Sequence, residues 1–282
     1  MREIIKRIIG YYCHHRQVRN WKHEASNEAE KIIVNTRLQQ FFDGRCLILI
    51  PHSDDEWIGC SRIISGNNEV VLCNMDMDGG DTPQIHKERY AELNEVANKY
   101  GRMLITIKEN KTDELKCAIQ KYNPDYIFLP HYIDWHPDHI KVMKILYDAI
   151  CNLGQLDCHV VMYQVSCPIV HGITHAIPLN KDQWVQKWDF FKCNYKTQLK
   201  IPYKRFSLNE VINGNYIQAY ASEIFCEVND VEWMKIIRDN LPTDEQIAGL
   251  KSCLGSITKM RNYIRDEIVG NSNFNLSSFC NI

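Results

Sequence analysis

No apolar run in this 282-residue sequence approaches the roughly 18 residues that a membrane-spanning helix requires, so no helical span is expected. The 12 cysteines include no C-x-x-C pair and no short disulfide frame. Several of them stand inside apolar runs, which fits buried free thiols better than structural disulfides or a thiolate zinc site. An excess of either charge is also missing, since 33 Lys plus Arg stand against 35 Asp plus Glu for a formal net charge of -2. That balance lacks the basic surplus of a chain held to nucleic acid by many phosphate contacts. The segment from Met1 to Gly10 has neither the long apolar core nor the small-residue cleavage site of a secretory signal, so a cytoplasmic location is expected. The sequons at Asn110 and Asn275 are then chance matches. There is no internal repeat and no low-complexity linker. With 45% hydrophobic, 24% charged and 10% aromatic residues, the composition is that of a globular protein and not of a disordered, collagen-like or coiled-coil chain.

From Cys46 to about Ser166, short β-rich apolar runs alternate with amphipathic stretches, the pattern of β-α-β units around a parallel sheet. The run Cys46 to Ile50 has no polar alternation, as a strand covered on both faces requires. Further strands are expected at Val70–Met75, Met103–Ile107, Tyr126–Leu129 and His159–Val165. Helices are expected from Glu56 to near Gly66, from Pro83 to Tyr100 behind a Thr82 cap, from a Thr112 cap to Tyr122, and from Pro137 to about Asn152. The fold class is therefore α/β, a Rossmann-like, mostly parallel sheet with helices on both faces, plus helical N- and C-terminal extensions.

Three regions follow: a basic helical extension over 1–44, a core over 45–227, and a helical extension over 228–282 in which Val231–Asn240 and Asp244–Val269 read as helices. The first 23 residues carry six Lys or Arg against Glu3 alone, with Ile4, Ile5, Ile8 and Tyr12 at helical spacing. Such a helix suits peripheral contact with an anionic membrane surface, and equally suits packing its Ile face on the core.

Two short clusters carry chemistry. In Pro51-His52-Ser53-Asp54-Asp55-Glu56, where the first strand ends, His52 and Asp55 can converge on one cation as imidazole nitrogen and carboxylate oxygen, a donor mix suited to Zn²⁺. Asp54 is then left free to take a proton from water. The same residues would also cap a helix and favour its positive dipole end. In His136-Pro137-Asp138-His139, after the strand at Tyr126–Leu129, the two histidines at i and i+3 can face one site around the first helical turn. Both clusters follow strands of one parallel sheet, and ligands gather at the carboxyl ends of such strands.

Together the clusters resemble the LmbE-like (PIG-L) deacetylase family, whose signatures are a P-H-x-D-D-E loop after the first strand and a later H-P-D-H loop. The likeness continues in Arg89-Tyr-Ala-Glu92, Tyr195-Lys-Thr-Gln198 and Ala221-Ser-Glu-Ile-Phe225, and spans Arg45 to about Glu227. It implies a zinc ion held by His52, Asp55 and His139, with Asp54 as general base. It also implies a protonated His136, oriented by Asp138, that stabilises the oxyanion and protonates the departing amine. Arg89 matches the family's substrate-contacting arginine, and its other reading is a surface pair with Glu92. Trp135 would stack on a sugar face, with His131 and Tyr132 as further candidates for the wall, and His171 and His175 are placed to enter the pocket from a loop.

Ser53 stands where the family has proline, which is expected to loosen the loop, and the segment Met75–Asp81 lacks the family's Thr-x-Gly-Glu run and is expected to be a flexible pocket wall. The implied activity is hydrolysis of the N-acetyl group of an amino-sugar conjugate, free, lipid-linked or nucleotide-linked, in glycan or glycoconjugate biosynthesis. The alternatives are an amidase on a larger glucosaminide and a non-catalytic, metal-containing sugar- or partner-binding module. A metal phosphoesterase would want a second metal and more bridging carboxylates than the two clusters provide.

Overall fold

The structure is a computed structural model that describes residues 2–77, 80–154 and 157–270, with side chains from residue 13 onward. Helix α1 (Arg2–Ala29) precedes β1 (Arg45–Ile50), α2 (Asp55–Ser65), β2 (Glu69–Asn74), α3 (Pro83–Tyr100), β3 (Met103–Thr106), α4 (Lys111–Tyr122), β4 (Tyr126–Pro130), α5 (Pro137–Leu153) and β5 (His159–Tyr163). Then come β6 (His175–Leu179), α6 (Lys181–Asn194), α7 (Tyr203–Gly214), β7 (Ala221–Val228), α8 (Asp230–Asp239), α9 (Asp244–Ser252) and α10 (Ile257–Tyr263).

The strands form one sheet in the order β3-β2-β1-β4-β5-β7-β6. Strands β3, β2, β1, β4 and β5 run parallel, while β7 runs antiparallel to both β5 and β6. The unbroken apolar run of β1 serves two cores. Leu47 and Leu49 pack in the cluster that includes Leu115, Val142 and Trp233 from α4, α5 and α8. Cys46, Ile48 and Ile50 pack on the opposite face with Trp57, Val96 and Phe191 from α2, α3 and α6. Burial of both faces is why these strands lack the polar alternation of a half-exposed sheet.

The order of the strands places the chemistry. The chain winds from β1 outward through β2 to β3, then returns to add β4 on the other side of β1. The β1 and β4 loops therefore leave the sheet in opposite directions and open a crevice between their carboxyl ends, where ligands of open α/β sheets bind.

Local signals hold where backbone chemistry sets them. Thr82 accepts a hydrogen bond from the Ile85 N–H ahead of Pro83, and Gly101 closes α3 in the left-handed conformation with φ 62°. Helix α4 starts two residues earlier than the Thr112 cap implies, because the Asn110 side chain accepts from the Asp113 N–H. The extensions differ more. The first ends as a helix at Ala29 and continues irregularly to the sheet. The expected helix over 244–269 breaks after Ser252 and restarts behind Ser256, whose side chain accepts from Lys259 N–H, before ending in a π-helical turn at Ile264–Val269. The two extensions meet: Trp21 donates its indole N–H to the Gly255 carbonyl at 2.8 Å, and Glu24 accepts from Ser256 Oγ and Ile257 N. Neither is an appendage: Trp21 and Ala25 of the first are buried with Ile212 and Ile257, and Trp233 and Ile236 of the second are fully buried in the main core. The proposed stripe Ile4, Ile5, Ile8 and Tyr12 lies outside the described side chains.

Among the described residues no cysteine forms a disulfide, as expected, and Cys46, Cys60, Cys73, Cys167, Cys226 and Cys253 are buried.

Helix α2 approaches the sheet so closely that a Cβ added at Gly59 would sit 2.3 Å from the Tyr163 ring, whose hydroxyl in turn donates to the Leu49 carbonyl. Gly59→Ala is expected to destabilise the protein by about 1–3 kcal/mol through overpacking, read as a lower urea midpoint at unchanged slope.

Candidate active site

The loop after β1 turns within four residues, and Asp54 carries the strain of it. Its φ of 134° and ψ of -28° are conformations that a side-chain-bearing residue rarely adopts. Glu56 pins this turn: one carboxylate oxygen accepts the Asp54 N–H at 2.9 Å and the other accepts the Tyr195 hydroxyl. Ser53, Asp54, Asp55 and Glu56 are all buried, so the serine in place of proline sits in a packed loop rather than a loosened one.

The loop after β4 delivers the second cluster. His136 occupies the cap position of α5, with its Nδ1 accepting the Asp138 N–H at 3.3 Å, and Pro137 opens the helix. One turn on, His139 is 1% exposed beside the first loop. Ligand-capable atoms of His52, His136 and His139 all lie within 4.8 Å of one another, close enough for a single cation.

Carboxylates fix how two of these rings face. His139 Nδ1 lies 2.9 Å from Asp134 Oδ2, and its Nε2 lies 3.2 Å from Asp55 Oδ2. His52 Nε2 lies 2.9 Å from Asp138 Oδ2, and its Nδ1 faces Asp55 Oδ2 at 3.5 Å. A ring nitrogen that donates to a carboxylate leaves the other nitrogen as lone-pair donor, the arrangement of metal-ligating histidines. By that logic His52 Nδ1, His139 Nε2 and Asp55 converge as ligands.

His136 differs from the expectation. Its Nδ1 is occupied as an acceptor, so in the neutral ring the proton sits on Nε2, which is then a hydrogen-bond donor rather than a ligand. The Asp138 carboxylate serves His52 and not His136; the Asp138 backbone N–H holds the His136 ring, and Asp134 Oδ1 accepts the His136 backbone N–H. Nor is His136 held protonated, because burial and the neighbouring His139 and His52 push it down to about 4.

The charges balance through opposition. Burial, with Asp55 and Glu56 adjacent, pushes the Asp54 carboxyl well above its ordinary range, and Arg89 and His139 draw it part of the way back. Burial works against Asp55 ionising too, but the charge of His139 and hydrogen bonds from His139 and His52 hold it below the ordinary range. On His139 burial opposes the charged ring, and Asp55 and Asp134 outweigh it and raise the imidazole well above its usual value. Three carboxylates bearing on two buried imidazoles form a pocket that favours positive charge, and nitrogen plus oxygen donors suit a borderline divalent metal. The residues fit such an ion.

The site opens into a cavity of about 340 Å³ whose lining includes Asp54, Arg89, Trp135, His136, Gln198 and Arg205. Arg89 pairs with Asp81 at 2.7 Å, not with Glu92. Glu92 instead accepts from both the backbone N–H and the hydroxyl of Thr197. Trp135 lines the cavity as expected, with its buried indole N–H unpartnered among the described residues.

Other expectations are corrected. His131 is buried, takes the Ile133 N–H on its Nδ1 and is pushed down to about 3 by burial, while Tyr132 packs in the core; neither lines the cavity. His171 does not line it either. His175 begins β6 and stacks on Phe42 beside a larger cavity of about 720 Å³ at the opposite end of the parallel strands, which contains none of the metal-capable residues. Sequence reasoning missed Asp134 and Arg205. Asp134 stands two residues before the second cluster with no motif of its own, and Arg205 enters the cavity from α7, far along the chain.

Because Asp134 sets the proton position on His139, Asp134→Asn is expected to weaken divalent-metal affinity about 10–100-fold, as measured by chelator competition on the folded protein.

No family model matches the sequence. The structure is similar to that of a conserved protein from Thermus thermophilus, at 18% identity and a TM-score of 0.52, over 64% of this chain and 93% of that one. It is also similar to the N,N'-diacetylchitobiose deacetylase from Pyrococcus horikoshii complexed with its inhibitor, at 17% identity and a TM-score of 0.58, over 75% of this chain and 94% of that one. This chain therefore has the fold of the diacetylchitobiose deacetylase, with its two histidine-acid loops at the sheet's switch point.

Proposed function

We propose that the protein is a zinc-dependent N-deacetylase of the LmbE-like (PIG-L) type, acting on an N-acetylated amino-sugar conjugate. The observation that carries this reading is the pair of carboxylates, Asp138 and Asp134, that turn one nitrogen each of His52 and His139 toward Asp55. A site of that kind takes zinc with positions left over. Zinc there would supply Lewis acidity, polarising the amide carbonyl and acidifying water.

The remaining work falls to the chain. Asp54, buried at the cavity floor with a carboxylate that forms no hydrogen bond among the described residues, takes the proton of the attacking water and returns it to the departing amine. A carboxyl poised above its ordinary pKa suits both transfers. His136 donates its Nε2–H to the developing oxyanion as a neutral ring, its other nitrogen held by the helix backbone. Trp135 offers the sugar a flat apolar wall, and Arg89, oriented by Asp81, offers it donors. Ile201, Pro202 and Phe206 add apolar surface to the cavity wall.

A peripheral place at the inner face of a membrane belongs to the same proposal. Arg16, Arg19 and Lys22 of α1 are exposed and form no salt bridge among the described residues. The triple charge reversal Arg16→Glu, Arg19→Glu, Lys22→Glu leaves Trp21 in its contact, and is expected to lower sedimentation with phosphatidylserine vesicles while sparing activity on a soluble substrate; unchanged sedimentation refutes membrane contact through this helix.

The deacetylase reading is tested by acetate and free-amine release over a panel of N-acetylhexosamine conjugates, with metal analysis alongside. Asp54→Asn is expected to lower turnover about 10²–10⁴-fold, the usual contribution of a general base, at full zinc content, whereas His139→Ala loses metal and turnover together. A zinc-loaded protein that releases no acetate from any conjugate would be a binding module instead.

A further inference from the structure

The cavity of about 720 Å³ at the amino ends of the parallel strands shares no lining residue with the catalytic cavity. Tyr126 and His159, which open β4 and β5, form one side of it, and the start of β6 and end of β7 form another. Residues 35–43 close a third side, tied down where Gln39 donates its N–H to the Thr174 carbonyl and accepts from the Ala176 N–H. Among the lining residues Glu227 has a side chain that is 21% exposed. Its Oε1 lies 2.7 Å from Nδ1 of His159, a ring more than half exposed. Its Oε2 lies 3.4 Å from Nε2 of His175, which is buried. Nδ1 of His175 meets Thr174 Oγ1 at 3.0 Å, and that oxygen accepts the Glu227 N–H at 2.8 Å. Burial and His159 push His175 down to about 4, so its ring is neutral at neutral pH. In either neutral tautomer the 3.4 Å gap is longer than a full hydrogen bond, and Oε2 is left short of a donor. A partly buried carboxylate oxygen in that state calls for a donor from a ligand or from water.

The rest of the lining suits a hydroxylated ring. The side-chain amides of Asn35, Gln39 and Asn229 offer both donors and acceptors, and Phe41, 66% exposed, joins Tyr126 in offering aromatic faces. Asp43, Glu227 and Glu232 outnumber Arg37, although Glu232 is engaged at the start of α8, where it accepts the Asn229 N–H. We propose that this cavity is a second, non-catalytic site for an amino sugar with a free amine, its ammonium donating to Glu227 and its ring lying against Phe41 and Tyr126. An ammonium brings three donors and a positive charge to the carboxylate and is attracted by aromatic faces, whereas an acylated nitrogen is neutral and has one donor. The site therefore separates amine from amide. It stands on its own lining and does not depend on the deacetylase reading; where that reading holds, it takes the class of molecule that the reaction releases. A surface ion pair of His159 with Glu227 accounts for Oε1 but not for Oε2. A divalent ion held by Glu227 and the histidines would have no use for a cavity of this size lined with amides and aromatic rings.

Isoleucine methyl NMR of the zinc-loaded protein reads the two cavities separately, because Ile173 lines this one while Ile58 and Ile201 line the catalytic one. Glucosamine at neutral pH is expected to shift the Ile173 methyl saturably, with an affinity at least about tenfold above that of N-acetylglucosamine at the same methyl, the return of one charge-assisted contact. Glu227→Gln is expected to weaken the Ile173 response to glucosamine about tenfold or more, and to leave the responses of Ile58 and Ile201 to N-acetylglucosamine as they are in the wild type. Phe41→Ala, at an exposed position, is expected to weaken the same response with the methyl spectrum otherwise unchanged, which keeps the test decisive if Glu227→Gln disturbs the sheet. An Ile173 methyl that ignores glucosamine, that answers both sugars equally, or that keeps its affinity in both variants overturns the inference. So does an Ile173 shift driven by added zinc and not by glucosamine, which would make this a metal site. Acetate release plays no part in the readout. Loss of the amine site therefore leaves the deacetylase reading standing, and a protein that releases no acetate leaves the amine site standing.

Discussion

Three consecutive carboxyl groups, Asp54, Asp55 and Glu56, are buried at the end of β1, and much of the surrounding structure offsets the cost of putting them there. Burying a charge without compensation costs several kcal/mol even after relaxation. Each group meets a different answer. Asp55 stays ionised against two imidazoles. Glu56, pushed up to about 7 mainly by burial, accepts from Tyr195 and from the Asp54 backbone. Asp54 is left with a raised pKa and a carboxylate that forms no hydrogen bond among the described residues. The N-terminus of α2 adds a favourable dipole for all three.

Holding those acids in place requires α2 itself to be fixed, and a buried polar network beneath it does so. Lys187 donates to the Ile58 carbonyl and to Glu210 and Glu223, while Glu223 also accepts from Ser61 Oγ and from the Arg62 N–H. Helix α2 is thereby tied to α6, α7 and β7. Further along the same side, Glu92 of α3 holds Thr197. Landmarks that look weak and scattered along the chain, Arg89-x-x-Glu92, Tyr195 to Gln198 and the Glu223 strand, thus meet as one framework around the loop after β1. Satisfied networks of this sort orient a site more than they stabilise a fold.

Much of the fold was legible because its signals are local. The apolar run of β1, the Thr82-Pro83 start and Gly101 stop of α3, and Pro137 before α5 each state a backbone preference that tertiary packing did not override. The antiparallel strands β6 and β7 were not legible, because their pairing joins residues some 50 apart and depends on contact rather than pattern. For the same reason His175 was expected in a loop near the site and lies in a strand at the far end of the sheet. The long C-terminal helix was read through Gly255-Ser256, where a contact with Glu24 from the other end of the chain favours a break.

By itself the sequence determined the chemistry available: histidines and acids in two clusters, each following a buried strand, with sulfur kept to packing and unbridged thiols. Residue type and spacing decide which atoms can donate to a metal or carry a proton. The tertiary structure alone decided how those atoms are used. It set β4 beside β1 so that the clusters share a crevice, and it gave the Asp138 carboxylate to His52 rather than His136. It supplied Asp134 to His139, and it carried Arg205 from α7 to the cavity wall. Ring orientation, proton position and counter-charge are properties of distance in space, and no pattern along a chain encodes distance between residues so far apart.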